Sequence, residues 1–251
     1  TRRSSDLKDA RGMAIKLLGV QGKKILENDE QALTQDFIMI NHPVFFVDEP
    51  LRYLSFIEDT NSKSTLKKLN IPFALGFKGT LNALGASNSK ISNPVQARYW
   101  SMVPYQLGLG ADRQAVKYSA RPCSLSADTM LNQSDPNFLR AALQNTLNKK
   151  DVCMEFLIQP RTSNKMLVET SMNEWKEDKA PFYKVATIHI PQQVFSTPDQ
   201  NKFCENLSFT PWHSLPEHKP LGAINRLRKV IYENISIVRH EMNSAQRQEP
   251  K

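Results

Sequence analysis

Arg228, Tyr232 and Arg239 lie within Leu221 to Met242, with the tyrosine four residues after the first arginine and seven before the second. On a helix advancing ~100° per residue, all three fall in one narrow angular band. Ile224, Leu227, Ile231, Ile235, Val238 and Met242 recur there at three- and four-residue steps, so the segment reads as an amphipathic helix with the Arg–Tyr–Arg row beside its apolar stripe. A cation one turn from a phenol whose ordinary pKa is ~10 favours the phenolate, and a phenolate can ligate ferric iron. The bland alternative is a buried ring with a solvated or acid-paired arginine.

The five histidines give no comparable cluster. His189 reads as a strand residue, His213 and His218 lie in a Pro-rich loop, His240 is near a helix end, and all four read as structural or solvated. His42 adjoins Asn41 in Asn41-His-Pro-Val-Phe-Phe46, and neighbours on a strand face opposite ways, so the two side chains are expected to diverge. Phe46 and Phe209 are aromatics in apolar runs, and Phe209 reads as core.

These residues need elements to hold them. Apolar runs predict strands over Gly12 to Val20, Phe37 to Val47, Ala97 to Tyr105, Ala115 to Ala120, Val152 to Gln159 and Lys184 to Ile190. Helical patterns cover Glu49 to Ile57, parts of Leu66 to Leu84, and Pro136 to Leu147 with Asp135 as N-cap; Pro220 precedes the last helix. Strands in hairpin-like order with helices between and after them indicate an α+β class, and no repeat or linker divides residues 1–251, which read as one domain.

Composition sets outer limits. The chain is 40% hydrophobic and 23% charged, as globular proteins are, and no stretch approaches the ~18 apolar residues of a membrane span. Thr1 to Lys8 is polar and basic, with no signal-peptide core behind it. Cys123, Cys153 and Cys204 are odd in number and widely spaced, so they read as thiols in a reducing compartment. A net charge of +8 invites an anionic partner, yet the Lys and Arg residues are scattered among acids, which argues against nucleic acid.

Arg228-Lys-Val-Ile-Tyr232 resembles the R-x-x-x-Y segment of haem catalases, Asn41-His-Pro-Val-Phe-Phe46 the family's N-x-P-V-F-F, and Asp9-Ala-Arg-Gly-Met-Ala-Ile-Lys16 its D-x-R-G-x-A-x-K. Ala115-Val-Lys-Tyr118 and the Trp175 region follow in order. The match is closest to the short catalase-related proteins of bacteria, through Arg98-Tyr-Trp-Ser-Met102, Phe203 to His213 and Leu215 to Gly222. The resemblance implies an antiparallel eight-stranded β-barrel with helices packed outside. It implies a haem b cofactor, with Tyr232 as the iron ligand, Arg228 stabilising its phenolate, Arg239 on a propionate, Phe46 against the porphyrin and Asn41 polarising the peroxide.

The same resemblance implies a peroxidase-like enzyme acting on hydrogen peroxide or organic hydroperoxides with a small electron donor. It leaves open a homodimer, and a cytoplasmic or periplasmic location. Its family's distal His lies on a strand upstream of the R-G-x-A-x-K segment, and none of the eleven residues before Gly12 is His. The opening of the barrel, with that base, is therefore expected to be missing from this chain. Two other readings are a fatty-acid hydroperoxide rearrangement, as in allene oxide synthases, and a haem protein without catalysis.

Overall fold

The computed structural model describes residues 9–88, 91–125 and 135–250. The polar lead at residues 1–8 falls outside them. Among these residues, seven strands form one antiparallel sheet in the order β1-β2-β3-β5-β6-β7, with β4 hydrogen-bonded to β5. They are β1 (Gly12–Leu18), β2 (Thr34–Ile40), β3 (Tyr99–Trp100), β4 (Tyr105–Leu107), β5 (Gln114–Pro122), β6 (Val152–Pro160) and β7 (Tyr183–Ile190). The sheet is curled like half a barrel, and β1 and β7 form its two edges among the described residues. Eight strands were expected; seven are described.

Alternation explains which face each strand buries. In β2, Phe37 and Met39 enter the main core while Ile38 and Ile40 face the other way. In β5, Val116, Tyr118 and Ala120 enter the same core, which also takes Val152 and Met154 from β6. Phe37 meets Tyr118 edge-on with ring centroids 5.0 Å apart, as aromatic quadrupoles favour.

Among the described residues, six α-helices accompany the sheet: α1 (Pro50–Asn61), α2 (Thr65–Leu69), α3 (Ile71–Ser87), α4 (Phe138–Leu147), α5 (Pro198–Asn206) and α6 (Ala223–Met242). α5 was not expected, although Thr197 and Gln200 close a reciprocal capping box around Pro198.

Several expected boundaries move, for local reasons. The run to Val47 stops as a strand at Ile40, and after Pro43 the chain changes partner, Phe45 donating its N–H to the Ser171 carbonyl at 3.0 Å. Ala97 to Tyr105 splits into β3 and β4 because Met102 takes a left-handed φ of 62° and Pro104 follows. Asp135 is not the N-cap of α4: it accepts the N–H of Asn137, the actual cap residue, at 2.8 Å. α6 begins at Ala223, after Gly222 at φ 87°.

The cysteine reading is corrected. Cys123 and Cys153 stand opposite each other just past the β5–β6 register and form a disulfide with their Cα atoms 5.5 Å apart; Cys204 is free and exposed. Antiparallel pairing brings together two residues that lie 30 apart in sequence, which spacing alone does not reveal. A reducing compartment no longer follows from the cysteines.

β5 also buries a charge. Lys117 Nζ sits 5.1 Å from the Trp175 ring centroid and donates to the Asn173 carbonyl at 3.4 Å. Burial lowers its pKa from 10.5 to about 8, and the nearby Glu174 and Asp48 oppose that fall only in part. The folded value is depressed, so between about pH 8 and 10.5 the unfolded chain binds more protons and stability rises with pH. Lys117→Met is expected to abolish that rise and to stabilise the fold at neutral pH by up to about 3 kcal/mol. Urea unfolding at neutral and high pH checks both, and a wild-type stability that falls across this window would contradict the assignment.

Candidate functional site

α6 is amphipathic by sequence, but only its first half is packed. Ile224 is buried and Leu227 and Ile231 are half-buried, whereas Ile235, Val238 and Met242 are exposed. The packed half carries Arg228, which is 7% exposed. Its guanidinium donates to the Tyr232 hydroxyl at 3.2 Å, to Asn225 Oδ1 at 3.1 Å and to the Tyr105 hydroxyl at 3.4 Å. Burial alone would lower the arginine pKa, but the oxygens of Tyr232 and Tyr105 outweigh it and raise the value above normal. Arg228 is therefore a fixed cation aimed at the Tyr232 oxygen.

The sheet anchors this arrangement. Asn225, fully buried, donates to the Pro104 carbonyl at 2.9 Å and to Leu221 at 3.0 Å. Tyr105 stacks obliquely on Tyr118 at 4.9 Å, and burial pushes its phenol pKa up despite Arg228. Neither Tyr105 nor Asn225 was expected at the site. Only their position after Pro104 and one turn before Arg228 hinted at it.

Tyr232 lies at the boundary of two cavities. One, of about 250 Å³, is lined mainly by Ile38, Ile40, Phe45, Phe46, Met102 and Ile231, with Arg228 at its wall. The other, of about 410 Å³, takes in Phe209, Ile235, Ser208, Ser236 and Arg239. Tyr53, Ile231 and Tyr232 line both, so the two together reach the ~300–1,000 Å³ usual for small-molecule sites.

Tyr53 was missed. It is on the inner side of α1, its ring 5.9 Å from Phe46, and burial, assisted by Tyr232 and opposed by Arg228, raises its pKa. The sequence signal was the Tyr53–Phe56 pair three residues apart, just after Phe45-Phe46.

Four of the five expected site residues line these cavities: Phe46, Arg228, Tyr232 and Arg239. Phe46 stacks on Phe45 at 4.4 Å. Arg239 donates to Ser208 Oγ at 3.0 Å and to the Leu207 carbonyl, while its buried Nε meets no hydrogen-bond partner. Asn41 lines neither cavity: its Oδ1 accepts the Arg11 N–H at 2.6 Å, on the Phe37–Met39 side of the strand rather than that of Ile38 and Ile40.

His42 diverges from Asn41 as expected and packs its ring on α3, where a Cβ added to Gly85 would come within 3.1 Å of it. Burial lowers its pKa, against Glu174. His213 is fully buried between Thr34 and Asp36, a structural role. Phe209, expected in the core, instead lines the larger cavity, with Lys16 Nζ 5.1 Å from its ring centroid. Among the described residues, no group of three His, Cys, Asp or Glu side chains could hold a metal.

The backbone matches catalase A from Saccharomyces cerevisiae with a TM-score of 0.72 at 17% identity, over 100% of this chain and 55% of that one. A fungal catalase matches at 0.70 and 16%, over 97% of this chain and 50% of that chain. The fold is catalase-like. This chain thus spans about half the length of these catalases. No protein-family model and no curated protein matches the sequence. In the catalase-like frame, the curled sheet holds Ile38 and Ile40 on one side of the cavity and α6 holds Arg228 and Tyr232 on the other.

Proposed function

We propose that this chain binds haem b through Tyr232 and serves the reduction of hydrogen peroxide or an organic hydroperoxide with electrons from a small donor. The observation that carries this reading is the buried Arg228 donating to the Tyr232 oxygen at 3.2 Å at the wall of an apolar cavity. A guanidinium within hydrogen-bond reach of a phenol oxygen favours its charged form, which is the form an oxygen ligand for ferric iron takes. No helix of the described residues is long and apolar enough to cross a membrane.

The residues present fit the group. Phe46 and Tyr53 supply aromatic faces, the exposed Ile235 supplies an uncovered apolar contact, and Arg239 brings a partnerless Nε–H that a propionate would satisfy. When bound, haem supplies the redox chemistry that cleaves the peroxide O–O bond. The chain's part is to hold it, with Arg228 donating to the Tyr232 oxygen and the apolar wall of Ile38, Ile40 and Met102 excluding water.

A second reading, rearrangement of a fatty-acid hydroperoxide, is favoured by the apolar lining of the smaller cavity. Titration of the purified chain with haemin, followed by absorption, tests the cofactor: saturation at one equivalent with a ferric tyrosinate spectrum is expected, and no saturable binding would end the proposal. Mixing the loaded protein with hydrogen peroxide, and separately with a fatty-acid hydroperoxide, divides the two reactions by product. Recovery of the hydroperoxide as its alcohol supports reduction, and an epoxide supports rearrangement.

A further inference from the structure

We propose that α1, α2 and α3 together form a docking surface for an anionic phospholipid bilayer, an inference that stands apart from the haem reading. The three helices pack on one another, and α2 is tied to α1 by Asn70 donating to the buried Asp59 at 3.1 Å. Their outer side is apolar. Phe73 and Phe77 are 82% and 84% exposed, and Leu51, Leu66, Leu69, Leu81 and Leu84 are exposed with them. Isolated exposed apolar residues are ordinary, but seven on one three-helix unit exceed what a solvated monomer usually shows.

The backbone presents this side rather than burying it. Gly76 breaks α3 at φ 69° and ψ 172°, so Phe73 and Phe77 sit on either side of a kink. Beyond it Phe77, Leu81 and Leu84 follow at four- and three-residue steps, one stripe of the helix. The inner side is fixed. A Cβ on Gly79 would stand 2.5 Å from the Phe46 carbonyl oxygen, so α3 lies directly against the cavity wall, and α1 turns Tyr53 and Phe56 toward Phe46. The apolar side chains therefore project from a preformed base.

Charge selects the occupant. Lys63, Lys67, Lys68 and Lys78 lie in this unit, all exposed, and no Asp or Glu occurs between Asp59 and Asp112. The even scatter of charge along the whole chain hides this local imbalance. α1 adds Arg52 beside Glu49, and one exposed acid, Glu58. A second copy of the chain is a poor occupant, because a two-fold contact would set these lysines against themselves with little acid to pair them. Phosphate headgroups meet the lysines while acyl chains receive Leu and Phe, the pattern of interfacial helices that enter a bilayer by ~5–10 Å.

Flotation of the full chain with vesicles tests this. The protein is expected to rise with vesicles of phosphatidylcholine and phosphatidylserine, and roughly tenfold less with phosphatidylcholine alone or in high salt. Phe73→Ser/Phe77→Ser and, separately, Lys67→Glu/Lys68→Glu should each reduce binding roughly tenfold or more, with circular dichroism unchanged because all four positions are exposed. Failure of the wild type to rise with phosphatidylserine vesicles, or flotation of either variant equal to that of the wild type, overturns the proposal. So does a wild-type dimer in sedimentation that Phe73→Ser/Phe77→Ser dissolves without any vesicle binding, which would assign the face to a second copy.

Discussion

Tyr232→Phe is expected to lower affinity for haemin by ~100-fold or more and to abolish the ferric tyrosinate spectrum. The substitution removes one oxygen and leaves the ring, so the cavity walls formed by Tyr53, Ile231 and Phe46 keep their shape. What it removes is the acceptor that Arg228 reaches at 3.2 Å, leaving a buried guanidinium with one partner fewer. A stability loss of about 1–3 kcal/mol should accompany the change. Denaturant unfolding of the haem-free protein separates the two effects. Full haem retention with an unaltered spectrum would show that Tyr232 is not the ligand.

Arg228→Leu should be the more costly change to the fold, by about 2–4 kcal/mol. Arg228 spans Tyr105, Asn225 and Tyr232, and its loss leaves the Tyr105 hydroxyl and Asn225 Oδ1 buried without this donor. Arg228→Lys provides the second measurement, since it keeps a cation of similar length but loses the planar fork that reaches three oxygens at once. It is expected to fold, to bind haemin, and to shift the absorption bands through weaker support of the Tyr232 oxygen. Identical spectra for wild type and Arg228→Lys, with equal stability, would remove Arg228 from the site.

The sequence made α6 and its Arg–Tyr–Arg row plain, because helical spacing places residues four and seven apart on one face whatever the surroundings. It could not say that the second half of the apolar stripe would stay uncovered, since Ile235 and Ile224 are the same residue type and only packing distinguishes them. Strand identity was legible from the apolar runs, while strand ends were not. β2 stops at Ile40 and β3 at Trp100, before the left-handed Met102, and the choice of new partner, Ser171 for Phe45, is a contact across 126 residues. Tyr53, Tyr105 and Asn225 join the site from α1, β4 and the start of α6, and nothing local marks them as neighbours. The Cys123–Cys153 bond was hidden for the same reason, its two halves brought together only by the β5–β6 register.

One end of α6 carries a consequence for the order in which the molecule assembles. Gly222 has no side chain to cap the helix, and the first free amide, Ala223 N–H, is taken instead by Glu169 at 2.7 Å, whose carboxylate also holds Arg226 at 3.0 Å. A Cβ at position 222 would come within 2.8 Å of the Val168 carbonyl, so helix and loop must close on each other with nothing between. The start signal for α6 is thus supplied from 54 residues upstream. A helix that waits for a distant cap pays loop-closure entropy before it gains its first turn. The Tyr232 helix should therefore lock late in refolding, after the sheet. Pulsed hydrogen exchange would show amides from Ala223 to Arg228 protected after those of β5 and β6, and simultaneous protection would refute that sequence. Time, as well as geometry, then separates the curled sheet from the helix that closes on it.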